Sequence, residues 1–166
     1  GAVGPGRALQ IAFGDRATIT TTLVCGDNAF HADPEANTDA VVAAVAAAAP
    51  DLFIAGPAFN AGRYGLACAA VCAAVKERLG IPAITGMFPE APAVDVYRSR
   101  VVMMATGDSA GSMQSALSGL SEVGLRLARN EGLRPAADEG RIPMGFRRSW
   151  VTDTPAGPRA VAMLVA

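Results

Sequence analysis

Apolar residues along the chain fall into short continuous runs, separated by longer stretches in which small apolar residues recur at helical spacing. The runs are 51–55 (DLFIA), 81–85 (IPAIT) and 101–105 (VVMMA). Short uninterrupted runs of this kind are the form expected of parallel strands covered on both faces. A further strand is read ahead of them at 17–25 (ATITTTLVC), where Thr, Ile and Val dominate as they do in strands. Chain order makes that segment strand one. A short helix is expected at 7–13. The next, over 33–49, opens on Asp33-Pro34-Glu35, which places Pro in the first turn and acids at the positive end of the helix dipole, and it stops at Pro50. Residues 61–79 carry most of their few charges late, as Lys76, Glu77 and Arg78, and end at Gly80 in the C-cap position. A last long helix is read at 109–129, with Asp108 or Ser109 as N-cap and Asn130-Glu131-Gly132 at its close. Alternating strand and helix predict an α/β fold: an open, mostly parallel sheet of four or more strands with helices on both faces, Rossmann-like or flavodoxin-like.

Residues 131–157 mix acids, bases, Gly and Pro without periodicity, and 158–166 (PRAVAMLVA) read as a C-terminal helix. The expected organisation is therefore an α/β domain over 1–130 with a ligand site at its strand ends, and an arm and helix over 131–166 belonging to the same domain. A length of 166 residues fits one domain. The chain opens without Met and its last helical pattern carries no stop signal, so the expectation is a fragment, a processed subunit or one piece of a heteromer.

Composition narrows the possible functions. Hydrophobic residues make up 51% and charged residues 17%, which excludes intrinsic disorder. A net charge of -1, with no basic cluster larger than Arg147-Arg148, lacks the electrostatic footprint of a nucleic-acid binder. The longest apolar run, 40–49, is about half the roughly 20 residues that a membrane span needs. The first residues, GAVGPG, have neither the basic region nor the apolar stretch of a signal peptide, so a cytoplasmic protein is expected. One His and three scattered Cys offer no recognisable metal-ligand spacing, and no metal is expected.

Open parallel sheets take their ligands at the carboxyl ends of the strands, which directs attention to the residues after each apolar run. Cys25-Gly-Asp27-Asn28 follows strand one, and 56–65 (GPAFNAGRYG) follows strand two, with Phe59, Asn60, Arg63 and Tyr64. After strand three comes 86–90 (GMFPE), with Met87 and Glu90, and 106–109 (TGDS) follows strand four. Asn60 is placed to cap the following helix, whose free N–H groups attract an anion. Arg63 adds a planar bidentate donor for a carboxylate, or else pairs with a protein acid. Asp27 and Glu90 are the candidate acid, base or cation-binding carboxylates, with solvated loop acids as the plainer reading. Cys25 is a candidate nucleophile if its thiol faces the crevice, and a small buried apolar residue otherwise. Cys68 and Cys72, four apart, read as core. The glycine spacing is that of neither a P-loop nor a dinucleotide fingerprint, and His31 has no nucleophile elbow to serve.

Several of these stretches resemble one known family. They are 24–28 (VCGDN), 50–65 (PDLFIAGPAFNAGRYG), 79–87 (LGIPAITGM), 94–97 (VDVY) and 140–148 (GRIPMGFRR). They are similar to selenoprotein B, the large substrate-specific subunit of glycine, sarcosine and betaine reductases, with the D-proline reductase selenoprotein as a more distant relative. The resemblance implies a heteromeric amino-acid reductase acting on a small amino acid or betaine. It also implies an amine activated by a pyruvoyl-bearing partner or by being quaternary, and a selenolate that attacks the α-carbon to give a selenoether. In that family the selenocysteine lies beyond the part matched here. This chain carries neither group, so the pyruvoyl group and the selenol or thiol nucleophile are expected on a partner or a further segment. Residues Asn28, Phe59, Asn60, Arg63, Tyr64 and Met87 are then the expected substrate contacts, with Cys25, Asp27 and Glu90 as catalytic candidates. The alternatives are a divergent branch carrying out C–S or C–N bond chemistry in a biosynthetic pathway, for which Cys25 is the candidate, or a non-catalytic assembly subunit.

Overall fold

In the computed structural model, the structure describes residues 1–145, together with the backbone at 150–151, 154–155 and 158. Three strands, β1 (Phe53–Phe59), β2 (Ala83–Met87) and β3 (Val102–Ala105), form one parallel sheet in the order β1-β2-β3. The helices are α1 (Pro5–Phe13), α2 (Asp27–Ala32), α3 (Pro34–Ala48), α4 (Gly62–Leu79), α5 (Pro92–Tyr97) and α6 (Met113–Ala128). Trp150–Val151 (β4) and Thr154–Pro155 (β5) pair antiparallel. The helix read at 158–166 lies outside the described residues, apart from a helical backbone at Pro158.

Strand order follows chain order because the two crossover helices lie on one face. Successive right-handed crossovers that step in one direction leave their helices on the same side of the sheet. There α4 and α5 bury Cys72, Ala73, Val75, Ala93 and Val94 against Met87 and Met103, and α3 packs outside α4 through Val42 and Val45. The opposite face is covered by α6, whose Leu117, Leu120 and Val123 meet Ile84, Val102 and Met104, with Leu9 and Phe13 of α1 outside. Burying both faces explains the unbroken apolar runs.

Local signals set the helix ends. Asp33 caps α3 by accepting the Ala36 N–H at 3.0 Å, and Ala49 and Gly80 end α3 and α4 in the left-handed conformation. Two short helices, α2 and α5, were not expected. Each starts with its own signal, an acid at Asp27 and Pro92 at the first turn.

The sheet has three strands rather than four or more, because 17–25 is not a strand. The segment is extended but pairs with no neighbour among the described residues. Clamps from outside hold it instead. The Gln10 amide donates to Ala17 O at 2.8 Å and accepts the Ile19 N–H at 2.7 Å. The terminal ammonium of Gly1 donates to Thr20 O, and the Thr22 hydroxyl donates to Gly1 O, each at 2.9 Å. Strand propensity mostly measures how well a side chain packs on a half-buried sheet surface. Here most of the side chains face solvent, and Val24 is 86% exposed.

Candidate functional site

The carboxyl edge of the sheet is held together by backbone bonds between its loops. Phe88 N–H donates to Phe59 O at 3.0 Å, Thr106 N–H to Met87 O at 3.0 Å, and Asn60 N–H to Asp108 O at 3.2 Å. The ends of β1, β2 and β3 are thereby fixed relative to one another. β1 shifts register between Ala55 and Phe59, where the Gly56-Pro57 cis peptide lies, pairs again at Phe59 with Met87, and ends at Phe59, whose φ of 50° lies in the left-handed region. Gly56 has no room for a side chain, since a Cβ there would sit 2.8 Å from Ala58 N.

Beside this edge the Arg63 guanidinium, at the start of α4, reaches across to α2. Its Nη2 donates to Asp27 Oδ2 at 3.3 Å and to Asn28 Oδ1. The Arg63 carbonyl also meets His31 Nε2 at 3.0 Å, so α2 grips the first turn of α4 twice. The Arg63 and Asp27 side chains are 58% and 43% exposed, which makes the pair accessible from solvent. Of the two sequence readings of Arg63, pairing with a protein acid is therefore present. Only one guanidinium nitrogen is engaged among the described residues, and Nε and Nη1 are left open.

The other candidates are placed less favourably. Asn60 does not cap α4: the cap is Ala61, without a side-chain bond, and the Asn60 side chain is exposed. The positive φ at Phe59 turns the chain one residue earlier than the capping pattern assumes. Met87 is fully buried in the core beneath the edge. Glu90 is exposed in the loop before α5 and makes no ion pair with the Arg63 cluster among the described residues. Cys25 is exposed rather than a buried strand-end residue, and its thiol lies 3.6 Å from Gly26 O.

Tyr64 interacts with Cys68 one helical turn further on. Burial pushes the Cys68 thiol up to about 12, with the Tyr64 hydrogen bond opposing it. Burial, reinforced by Cys68, likewise raises the Tyr64 phenol, and burial carries Cys72 well above the usual thiol range. All three groups hold their protons at neutral pH, and Cys68 and Cys72 are core residues, as their spacing indicated. Sequence reasoning weighed His31 only as a triad member and Asp108 only as a helix cap, and gave neither a place at this edge. His31 is five residues beyond Gly26 on a helix read as loop, whereas Asp108 contributes through its backbone carbonyl, which no side-chain pattern reveals. Among the described residues, no group of three His, Cys, Asp or Glu is placed to hold a metal ion, and no helix is long and apolar enough to cross a membrane.

Fold and site together define an α/β protein whose polar groups gather at the carboxyl edge of a parallel sheet, where open α/β sheets take their ligands. The chain belongs to the glycine/sarcosine/betaine reductase selenoprotein B family, whose profile matches residues 1–166. It is 43% identical over its full length to a glycine reductase complex component B subunit gamma of Carboxydothermus hydrogenoformans, covering 38% of that protein. A sarcosine reductase complex component B subunit beta of Peptoclostridium acidaminophilum is 41% identical over 99% of the chain and 38% of its own length. A betaine reductase complex component B subunit beta of the same organism is 36% identical over 90% of the chain and 35% of its own length. The chain thus spans little more than a third of these curated relatives. No solved structure matches it.

Proposed function

We propose that this chain is a subunit or portion of component B of a glycine/sarcosine/betaine reductase-type enzyme, and that it holds a small amino acid or betaine for reductive C–N cleavage. The observation that carries this reading is the half-exposed Arg63 guanidinium with its open Nε and Nη1, set beside Asp27 at the strand-end edge. A glycine-like or betaine-like substrate is a zwitterion, and this pair offers it both complementary charges. The guanidinium fork receives the carboxylate in bidentate fashion, and the Asp27 carboxylate faces the cationic nitrogen. Asn28 and His31 set the position of Arg63 from α2.

The groups that break the bond lie outside this chain. When bound, a selenol or thiol on other polypeptide supplies the electron pair that displaces the amine at the α-carbon, and a pyruvoyl group supplies activation of a primary or secondary amine. Cys68 and Cys72 are unsuited to that role, being buried and protonated. A loss of one charge-assisted hydrogen-bonding partner costs about 1.5–3 kcal/mol. Arg63→Ala in the assembled reductase is therefore expected to weaken substrate affinity about 10- to 100-fold. Unchanged affinity in a properly assembled complex overturns the assignment.

Exposure of Cys25 on the loop that carries Asp27 favours a second reading, C–S or C–N bond chemistry with Cys25 as nucleophile. Its test is Cys25→Ser in the assembled enzyme, which abolishes turnover on that reading and leaves it intact on the first.

A further inference from the structure

The two edges of the sheet are finished differently. Along β3, Ala105 N–H donates to Gly140 O at 2.9 Å and Ile142 N–H to Met103 O at 2.8 Å, so residues 140–142 close that edge. Along β1, Phe53 N–H donates toward β2, to Pro82 O at 2.9 Å. Successive backbone groups alternate direction along a strand, so the Ile54 N–H and C=O point outward. Among the described residues nothing bonds to them.

This open edge faces a cleft of about 890 Å³ whose far wall is the extended segment 17–25. The cleft wraps the edge and touches both core layers. On the α4 side it is walled by Phe30, Ala67 and Val71, and on the α6 side by Leu9, Leu117 and Leu125. At about 30 Å³ per water it corresponds to about thirty waters against largely apolar walls, several times the size of a small amino acid. Segment 17–25 does not fill it, because Gln10 and Gly1 hold that segment away.

An added strand matches each feature. Its backbone would satisfy the outward groups of Ile54, and its alternating side chains would point to opposite sheet faces, into the two apolar walls. We propose that this cleft is the docking groove for an extended, alternately apolar polypeptide segment, drawn from the part of the selenoprotein B family's length that this chain does not span. The matched relatives extend well beyond the 38% aligned here, so the family has polypeptide to place against this fold. The inference rests on family membership and the open edge, and is independent of the substrate reading.

The test is hydrogen exchange at the Ile54 amide, with Phe53 and Ala55 as internal references. It is measured in the isolated chain, in the chain within its assembled reductase, and at the aligned amide of the full-length Carboxydothermus hydrogenoformans relative. Exchange is expected to be fast in the isolated chain and at least about tenfold slower where the groove is filled. Slowing in the full-length relative is the expected result and places a segment of the family's own remaining polypeptide in the groove. Slowing in the assembly alone, with the relative's amide still fast, places a different subunit there and overturns the proposal. Equally fast exchange in all three overturns it, as does slow exchange in the isolated chain that rises with concentration, which would place a second copy there.

Discussion

At one edge of the sheet the chain finishes its own work, and at the other it leaves the work undone. The β3 edge is closed by residues 140–142, locked from behind by a charged cluster. Glu139 takes a hydrogen bond from Arg141 Nε at 2.6 Å and lies 3.3 Å from Arg126 Nε, while Arg141 Nη2 donates to Arg134 O at 2.6 Å. The Glu139 and Arg141 side chains are each only 6% exposed. Among the described residues the β1 edge has no such lock, and its chemistry is solvent-facing: an exposed Arg63–Asp27 pair and an apolar rim at Leu23 and Val24. The lesson is one of position. Charges of similar type stabilise the fold where they are buried and shared, and remain available for a ligand where they are exposed and only partly engaged.

The largest expected contrast comes from breaking the lock. Glu139→Ala leaves Arg141 buried without its carboxylate, and removal of one partner of a buried pair costs about 3–5 kcal/mol. Urea unfolding monitored by circular dichroism reads the shift. Ile142→Ala, at the buried end of the same closing segment, is expected to cost about 2–5 kcal/mol.

Acid should act on the same edge. Burial alone would raise the Glu139 carboxyl, but the Arg141 and Arg134 hydrogen bonds and the two arginine charges hold it below the ordinary value. A carboxyl depressed in the folded state stabilises the protein above the unfolded pKa, and that contribution is lost as pH falls through the folded value. The protection factor of the Ile142 amide, corrected for the intrinsic slowing of exchange in acid, should therefore fall as pH drops below the ordinary carboxylate range, before the β2 core amides respond.

At the open edge the effects shrink. Arg63→Ala and Asp27→Ala are expected to change stability by about 1 kcal/mol or less, as exposed ion pairs do, even though the first is predicted to damage substrate affinity. Val24→Ala should fall within about 0.5 kcal/mol in the isolated chain. A large loss of stability from any of these three changes would erase the distinction between the two edges.

Much of the sheet and its helices was legible in the sequence, because the signals there are local, whereas the closing segment 139–142 lay in a stretch without periodicity and was read only as an arm. Asp33-Pro34-Glu35, Gly80 and the runs 51–55, 81–85 and 101–105 each report their element through neighbours in sequence. The open side was not legible for the opposite reason. Segment 17–25 has strand composition, but clamps from Gln10 and Gly1 decide its fate. Arg63 meets Asp27 and Asn28 across more than thirty positions, and only the packing of α2 against α4 brings them together. Asn60 had the right residue type for a cap and lost that place to a backbone turn at Phe59. With strand order following chain order, the described sheet has no reversal point to mark a ligand crevice, so the site is defined by its loops rather than by topology.

The central claim is that these residues supply part of a substrate site completed by other polypeptide. Calorimetric titration of glycine, sarcosine and betaine into the isolated chain and into the assembled reductase tests it most directly. The account predicts saturable binding of one of these ligands in the assembly, weakened by Arg63→Ala, and none in the isolated chain. Equal affinity in both, or binding in the assembly that is indifferent to Arg63, would contradict it.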